Sequence, residues 1–533
     1  MASDSAIPGR TTDFADGAAP GAAAPADVLH AGPAGYGKLA EQLGQAVEKM
    51  SGWMAGYGDF ASHPSLDVPL EQLEQATGAL HERLRENYPF FHPRYVGQML
   101  KPPHPAAVIG YVSAMLINPN NHALDGGPAT ARMEKEVVAQ LAAMFGFPEH
   151  LGHLTSSGTI ANLEALFVAR QIHPGQAVAH SADAHYTHGR MCHVLGVEAV
   201  TVPTTADGTM DLQALEETLR GGRIGTVVAT PGTTGLGAVD PVHEIVALCR
   251  RYGARVHVDA AYGGFFRLIA DGTADGVAAE PFGAIAECDS VVVDPHKHGL
   301  QPYGCGAVLF HDPGVARHYL HDSPYTYFTS DELHLGEISL ECSRAGAAAA
   351  ALWLTLQLLP LTPDGLGAVL RPGRRAALAW ADLIDRSDEL TLFQRPHLDI
   401  LSYFPTRRSL SEIDHASAHV LNTGMHLPAA QSLFVATYTV DGASLVARGH
   451  RVATDVASGR ILRSVLMKPE TEEHVPALHQ QVLDLLRSRG PQSRFKSGTG
   501  SAVPPTLPGR DGTLDDAGSG GGRTARSVAQ LVR

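Results

Sequence analysis

VVVDPHKHG, residues 291–299, places a lysine directly after a short run of valines. Such a run is typical of a strand that is buried on both faces. A lysine at the end of a buried strand is unusual, because burying an ammonium group without a partner or a function costs free energy. Lys297 is therefore a candidate amine nucleophile for Schiff-base chemistry, and His296 could donate a hydrogen bond to an anion. Alternatively, Lys297 simply reaches into water from the end of the strand.

Short valine-rich runs and helical segments alternate on both sides of this motif. TVVAT (226–230) and ARVHVDA (254–260) resemble the valine run, and three segments have helical spacing of their apolar residues: 131–146, 161–172 and 242–253. This alternation predicts βαβ units, an α/β fold and a largely parallel sheet. Gly253 is expected to cap the helix before it, and the apolar segment 345–359 is expected to form a helix that packs inside.

The length and the composition predict one large domain with flanking pieces. A chain of 533 residues exceeds one ordinary domain, and 44% hydrophobic residues can build a sizeable core. Both ends are rich in small and polar residues that cannot offset the entropy of ordering. The predicted parts are a disordered tail 1–28, a helical segment 29–115, a large domain 116–362, a small α+β domain 363–487 and a disordered tail 488–533.

Charge and cysteine usage exclude several classes of protein. A net charge of −15 argues against nucleic-acid binding, which requires a basic face. The five cysteines are scattered without CxxC spacing, which favours reduced thiols in a cytoplasmic protein. No apolar run reaches the roughly 18 residues of a membrane span, and no secretory signal is apparent, so no membrane partner is expected.

Three further segments offer candidate binding residues, each with a simpler alternative. Asp259, in HVDAAYGG, could hold a protonated pyridine nitrogen or could merely cap the next helix. Ser157, Gly158 and Thr159 open a helix in LTSSGTIANLEAL and could bind a phosphate, although such N-caps are also ordinary. His185, in DAHYTH, could stack on a flat ring or be purely structural.

Taken together and in order, these motifs resemble the group II pyridoxal-phosphate decarboxylases, which include aromatic amino acid, glutamate and bacterial tyrosine decarboxylases. The resemblance rests on Ser-Gly-Thr-x-Ala-Asn, Ala-His-Tyr, Gly-Thr-Thr, His-Val-Asp-Ala-Ala-Tyr-Gly-Gly, Asp-Pro-His-Lys and SLECSRAG (339–346), and it spans about residues 45–487. It implies fold type I, the aspartate-aminotransferase architecture. That fold has a large domain with a mainly parallel seven-stranded sheet, a smaller C-terminal α+β domain and an intertwined homodimer.

The resemblance also implies a role for each matching residue, with pyridoxal phosphate as the cofactor. Lys297 would hold the cofactor as a Schiff base, and Asp259 would bind its ring nitrogen. The other expected contacts are His185 and Ala261 on the two ring faces, Ser157, Gly158, Thr159 and His296 at the phosphate, and Thr234 near the ring hydroxyl. Arg463 would bind the substrate α-carboxylate, and Arg344 also matches an arginine of the family.

The resemblance implies an amino acid decarboxylase that releases an amine and CO2, with a tyrosine as proton donor. Tyr325 is the first candidate and Tyr327 the alternate in the segment 321–337, and Tyr303 is the second candidate, which could also contact substrate. Plain aromatic packing is the alternative for each. Phe328 follows Tyr327 directly, so the donor position could fall on a phenylalanine instead of a tyrosine. Phenylalanine at this position in some relatives accompanies aldehyde formation.

Rival interpretations keep the same fold but change the chemistry. An aldehyde synthase or another lyase would share every cofactor residue, whereas a desulfurase would need a catalytic cysteine. Cys305 and Cys342 lie near suitable segments, and both are expected to pack. A degenerate regulatory protein is expected to have lost Lys297 or Asp259. The PHK–PY spacing resembles bacterial tyrosine decarboxylases and favours an aromatic substrate, with glutamate or aspartate as the alternative.

Overall fold

The computed structural model describes residues 28–319 and 333–488. Tyr325, Tyr327 and Phe328 lie outside the described residues, as do nearly all residues of the two tails that the sequence predicts to be disordered. The predicted boundaries between domains stay predictions.

Seven strands form the larger sheet, in the order β1-β7-β6-β5-β4-β2-β3. Their bounds are β1 Leu151–Thr155, β2 Ala177–Ser181, β3 Ala199–Val202, β4 Ile224–Ala229, β5 Arg255–Asp259, β6 Ser290–Val293 and β7 Gly306–Phe310. Strands β2 to β6 pair in parallel, whereas β7 is antiparallel to both β6 and β1. The predicted mainly parallel seven-stranded sheet is confirmed.

Fourteen α-helices lie within the described residues, and most of them alternate with the strands. They are α1 Tyr36–Ala55, α2 Leu70–Leu84, α3 Pro105–Met115, α4 Pro128–Phe145, α5 Gly158–Ile172, α6 Thr187–Leu195, α7 Leu212–Arg220, α8 Val242–Tyr252, α9 Ala279–Gly283, α10 Gly346–Leu358, α11 Leu366–Asp385, α12 Leu410–His426, α13 Gly442–Ala447 and α14 Thr471–Arg487. Gly253 ends α8 at φ 72°, a left-handed conformation that glycine adopts without strain. The segment predicted to form an apolar helix that packs inside is α10: eight of its thirteen residues are buried, and it packs on α3 and α4.

The valine runs form the centre of the larger sheet. Every residue of β4, β6 and β7 is buried, because helices cover both faces of a parallel sheet. The carboxyl ends of β4, β5 and β6 lie along one edge, so the loops that follow these strands converge there. In open α/β sheets this edge is the usual place for a ligand.

A second sheet is built from the C-terminal part of the chain and is antiparallel throughout. Its order is β10-β11-β9-β8, with β8 Leu390–Gln394, β9 Ile400–Pro405, β10 Ala436–Asp441 and β11 Ser458–Val465. Helices α11, α12 and α14 pack with it around the buried side chains of Trp380 and Tyr403. The predicted smaller C-terminal α+β part is confirmed. Within the described ranges, no helix combines the length and the apolar character needed to cross a membrane.

Candidate active site

A cavity of about 250 Å³ lies at the carboxyl edge of the larger sheet. Its walls come from the loops after β1, β2, β4, β5 and β6, which are the segments that the sequence motifs occupy. All nine predicted cofactor contacts line it: Ser157, Gly158, Thr159, His185, Thr234, Asp259, Ala261, His296 and Lys297. The fold therefore brings together residues that lie up to 140 positions apart in the sequence.

Lys297 projects its amine towards a buried carboxylate. Its Nζ lies 2.9 Å from Oδ2 of Asp294, a side chain that is 4% exposed, whereas the Lys297 side chain is 21% exposed. A lysine that merely reached for water would leave the amine at the surface. The buried carboxylate gives the amine a counter-charge beside the cavity, which supports a chemical role for Lys297.

Asp259 lies at the end of β5 and is held by a histidine from α6. Its Oδ2 lies 2.8 Å from Nε2 of His188, and its Oδ1 accepts a hydrogen bond from the backbone N–H of Ala261. Burial alone would raise the pKa of Asp259, but the hydrogen bond from His188 and the charges of His188 and Lys297 hold it below its ordinary value. Asp259 therefore keeps its negative charge at neutral pH, where a protonated pyridine nitrogen would need it.

The segment from Ser157 to Thr159 forms the start of α5. The Ser157 hydroxyl accepts a hydrogen bond from the backbone N–H of Ile160, and the first N–H groups of the helix have no partner within it. Two glycines keep this end open. A Cβ on Gly158 would lie 2.7 Å from the Asp294 carboxylate, and a Cβ on Gly306 would lie 2.7 Å from the backbone of Ser157. The geometry suits a phosphate that binds to backbone donors at a helix N-terminus.

Two histidines border the cavity from different loops. Burial lowers the pKa of His185, whose Nδ1 accepts a hydrogen bond from the backbone N–H of Thr187. Burial likewise lowers the pKa of His296, whose ring lies 4.7 Å from the ring of Tyr303. Both imidazoles are thus favoured in the neutral form, which can stack on a flat ring or share one hydrogen bond.

A wider cavity of about 660 Å³ adjoins the first and shares His185, Tyr186 and Thr234 with it. Arg463 and Tyr303 line this second cavity. Arg463 is 6% exposed and donates hydrogen bonds to the carbonyl oxygens of Thr234, Gly235 and Gly97. These partners are neutral carbonyl groups, so the positive charge of Arg463 is available to an anion.

Arg344 performs a different task from Arg463. Its guanidinium forms a buried ion pair with Glu134, at 3.0 Å, and donates to the carbonyl oxygens of Leu154 and Asn121. Glu134 also accepts hydrogen bonds from the Leu154 N–H and from the Asn121 side chain. This network joins α4, β1 and the loop before α4. Arg344 lines neither cavity, and its contacts are those of a structural residue.

The cysteine predictions have mixed outcomes. Cys305 is buried, as predicted, and burial raises the pKa of its thiol far above the ordinary value. The prediction for Cys342 is wrong: its side chain is exposed, because residues 341–343 run along the surface before α10 begins. Cys342 does not line either cavity. Neither thiol is placed as a desulfurase would require.

The polar groups around the smaller cavity fit a phosphate-bearing pyridine cofactor. Four buried polar atoms of its lining have no hydrogen-bond partner among the described residues: Thr187 Oγ1, Thr230 Oγ1, Asp294 Oδ1 and His296 Nδ1. Buried polar atoms normally have partners, so these atoms indicate room for a polar ligand. The ionised Asp259 suits a protonated ring nitrogen, and the N-terminus of α5 suits a phosphate. The amine of Lys297 suits an aldehyde.

Sequence reasoning missed His188 and Asp294, although both lie inside motifs that it quoted. His188 follows His185 by three positions, the spacing that brings two side chains to one side of a helical turn. Asp294 precedes Lys297 by the same spacing. Asp183 and Tyr438 of the wider cavity carry no local signal, because they meet only when the second sheet packs against the first.

The fold and the site define a pyridoxal-phosphate enzyme of fold type I. Solved structures share this architecture at low sequence identity. Mouse CSAD has a TM-score of 0.68 at 20% identity and covers 85% of this chain and 99% of its own. Oryza sativa TDC with PLP and tryptamine has a TM-score of 0.69 at 19% identity, with coverage of 86% and 99%.

Residues 88–403 match the model of the pyridoxal-dependent decarboxylase conserved domain, and the chain belongs to this family. It is an amino acid carboxy-lyase that uses pyridoxal phosphate. The L-tyrosine decarboxylase of Enterococcus faecium is 28% identical over 453 residues, which cover 64% of this chain and 74% of that protein. The L-aspartate decarboxylase of Thermococcus kodakarensis is 29% identical over 337 residues, with coverage of 62% and 84%.

Proposed function

We propose that this enzyme decarboxylates an aromatic L-amino acid, with tyrosine as the model substrate, to the amine and CO2. The observation that carries the proposal is the charge of the wider cavity. Among the described residues that line it, Arg463 is the only lysine or arginine, and Asp183 is the only acid. Three tyrosines, Tyr186, Tyr303 and Tyr438, supply aromatic walls.

An acidic substrate fits this lining poorly. An amino acid has one α-carboxylate, and Arg463 is the cation that suits it. Aspartate or glutamate would bring a second carboxylate, for which the described lining offers no second cation, and Asp183 would repel it. An aromatic side chain needs no such partner and is stabilised by apolar contact with the tyrosines and Met99.

Arg463 and His185 orient the substrate. Three hydrogen bonds to backbone carbonyls fix the guanidinium of Arg463, so it binds the carboxylate without losing much rotamer freedom. His185 borders both cavities, so it would stack on the cofactor ring from the substrate side, and Ala261 would contact the opposite face. This arrangement holds the bond between Cα and the carboxylate in one orientation.

The remaining residues hold the cofactor and move protons. When bound, pyridoxal phosphate supplies an electron-withdrawing ring that accepts the electron pair left as CO2 departs. Asp259 would keep the ring nitrogen protonated, and Ser157, Gly158, Thr159 and His296 would hold the phosphate. Thr234, which lines the same cavity, would contact the ring hydroxyl. Asp294 balances the positive charge of the Lys297 amine whenever that amine is protonated.

A tyrosine then donates the proton to Cα. Tyr303 is one candidate: its ring packs on His296, and its hydroxyl donates to the carbonyl of Met99 at 3.2 Å, at the wall of the wider cavity. Burial raises the pKa of Tyr303, which keeps the phenol protonated at neutral pH. Tyr325 is the other candidate. A donor at Cα gives the amine rather than an aldehyde.

A panel of L-amino acids tests the substrate assignment. We expect CO2 and amine in equal amounts from tyrosine or a related aromatic amino acid, at a kcat/KM about 100-fold above that for glutamate or aspartate, since one unpaired buried carboxylate costs that much or more. The measurement is CO2 release together with product analysis. A preference for aspartate, the substrate named for the Thermococcus relative, would contradict the assignment, and release of aldehyde and peroxide would contradict simple decarboxylation.

A homodimer is part of the proposal, and the N-terminal helices support it. Neither α1 nor α2 buries any residue, and large apolar side chains there and in the linker between them face water, including Trp53, Phe60 and Leu70 at 51%, 92% and 68% exposure. Several large apolar side chains exposed on neighbouring segments are typical of an interface. Sedimentation should give twice the mass of the chain, and a monomer at micromolar concentration would refute the dimer.

A further inference from the structure

Asp183 is a carboxylate in the wider cavity that the reaction itself does not use. It is half-buried in the loop after β2, two positions before His185. Its Oδ1 accepts a hydrogen bond from the hydroxyl of Tyr438 and its Oδ2 accepts one from that of Thr204, both at 3.3 Å. A carboxylate has about four acceptor positions, so Asp183 can accept further hydrogen bonds.

No cation neutralises Asp183 within the described part of the chain. Arg448 is the arginine whose charge acts on it, but this side chain stacks on the ring of Phe393 and donates to Gln394 and Ser444. Burial raises the pKa of Asp183, which is the mark of a carboxylate that lacks sufficient partners. A half-buried acid in this condition gains most from a ligand that donates a hydrogen bond.

The position of Asp183 relative to Arg463 indicates which part of a substrate Asp183 would contact. Arg463 on β11 pairs with Ala436 on β10, and Tyr438 lies two residues further along the same face of β10. Arg463 and Tyr438 are thus diagonal neighbours, about 7–8 Å apart between their backbones. The Tyr438 ring also lies against Gly235, whose carbonyl anchors Arg463. Asp183 and Arg463 line the same cavity, and Tyr438 is bonded to Asp183 and lies beside Arg463. A substrate whose α-carboxylate bound Arg463 would therefore have Asp183 available to its side chain.

We propose that Asp183 is a specificity-determining residue that selects substrates with a hydrogen-bond donor at the distal end of the side chain. The proposal rests on the proposed function, because it takes Arg463 as the α-carboxylate site. A phenol hydroxyl and an ammonium group can each supply this hydrogen-bond donor. The aromatic walls favour the phenol.

Matched substrate pairs test this directly with the cofactor-loaded enzyme. L-Tyrosine and L-phenylalanine differ by one hydroxyl, and L-lysine and L-norleucine differ by one terminal amine. We expect kcat/KM for tyrosine to exceed that for phenylalanine by about 100-fold, because a site built for a donor rejects an analogue that leaves the acceptor unpaired. In Asp183→Ala this ratio should fall to near one, whereas the exposed control Asp207→Ala should keep it.

The outcomes separate this proposal from the function on which it rests. Equal rates for both members of each pair would overturn the role of Asp183 while leaving decarboxylation intact, as would a preference that survives in Asp183→Ala. A preference confined to lysine over norleucine would support donor selection by Asp183 and overturn the aromatic assignment. Turnover of none of the four would overturn both. If Asp183→Ala fails to fold, Asp183→Asn keeps the shape and should still lower the ratio about tenfold.

Discussion

Lys297→Ala should abolish CO2 release, with a fall in kcat on the order of 1,000-fold or more, because the variant lacks the amine that we propose forms the covalent bond to the cofactor. The amine of Lys297 faces the cavity and has the buried Asp294 as its counter-charge. No other lysine of the described residues lines this cavity. The measurement is CO2 release from the preferred amino acid, together with the visible absorbance of the lysine-bound cofactor.

A matched control for this variant is Lys101→Met. Lys101 lies in a separate cavity, and burial lowers its pKa to about 8, so it is also a potentially reactive amine. We expect Lys101→Met to keep the covalent cofactor and its absorbance. Retention of activity in Lys297→Ala would contradict the assignment of Lys297, whereas loss of the absorbance in Lys101→Met alone would move the assignment to Lys101.

Asp259→Asn should lower kcat by about 100- to 1,000-fold, the range for removal of one preorganised electrostatic group. Asparagine keeps the shape of the side chain but cannot hold a proton on the ring nitrogen by opposite charge. The effect should appear in kcat, while the covalent attachment of the cofactor through Lys297 persists. Steady-state kinetics and the cofactor spectrum measure the two quantities separately.

Asp289→Asn is the control for the second variant. Asp289 precedes β6 at the opposite edge of the same sheet, where it pairs with Arg255 and accepts the backbone N–H of Val256. Its loss removes a carboxylate from the sheet without touching the cavity. If Asp259→Asn and Asp289→Asn lower kcat equally, the effect of Asp259 is structural and its proposed pairing with the cofactor is wrong.

Local sequence patterns carry most of what could be predicted. The valine runs predicted β4, β5 and β6, because a strand buried on both faces must be apolar along its whole length. Each predicted cofactor contact follows such a strand or opens a helix, so the parallel order of the strands brings them to one edge. The sequence predicted Lys297 after β6 and Asp259 at the end of β5. These two positions together also predict where the cavity lies.

The substrate side of the site depends on packing that no local pattern encodes. Arg463 reaches the loop after β4 from a strand more than 220 residues later, and Tyr438 meets Asp183 across 255 residues. Such contacts exist only once the second sheet has docked. Cys342 was misjudged for a related reason: small neighbours in the sequence suggest packing, but here they belong to a surface segment.

Chemical capture of the cofactor tests the central claim most directly. The holoenzyme would be treated with borohydride, which reduces the carbon–nitrogen bond between a lysine amine and the cofactor, and the labelled peptide would be identified by mass spectrometry. We predict a single label on Lys297. Burial lowers the pKa of Lys101 to about 8 and that of Lys468 to about 7. Label on either of these lysines would contradict the account, and so would an unlabelled protein.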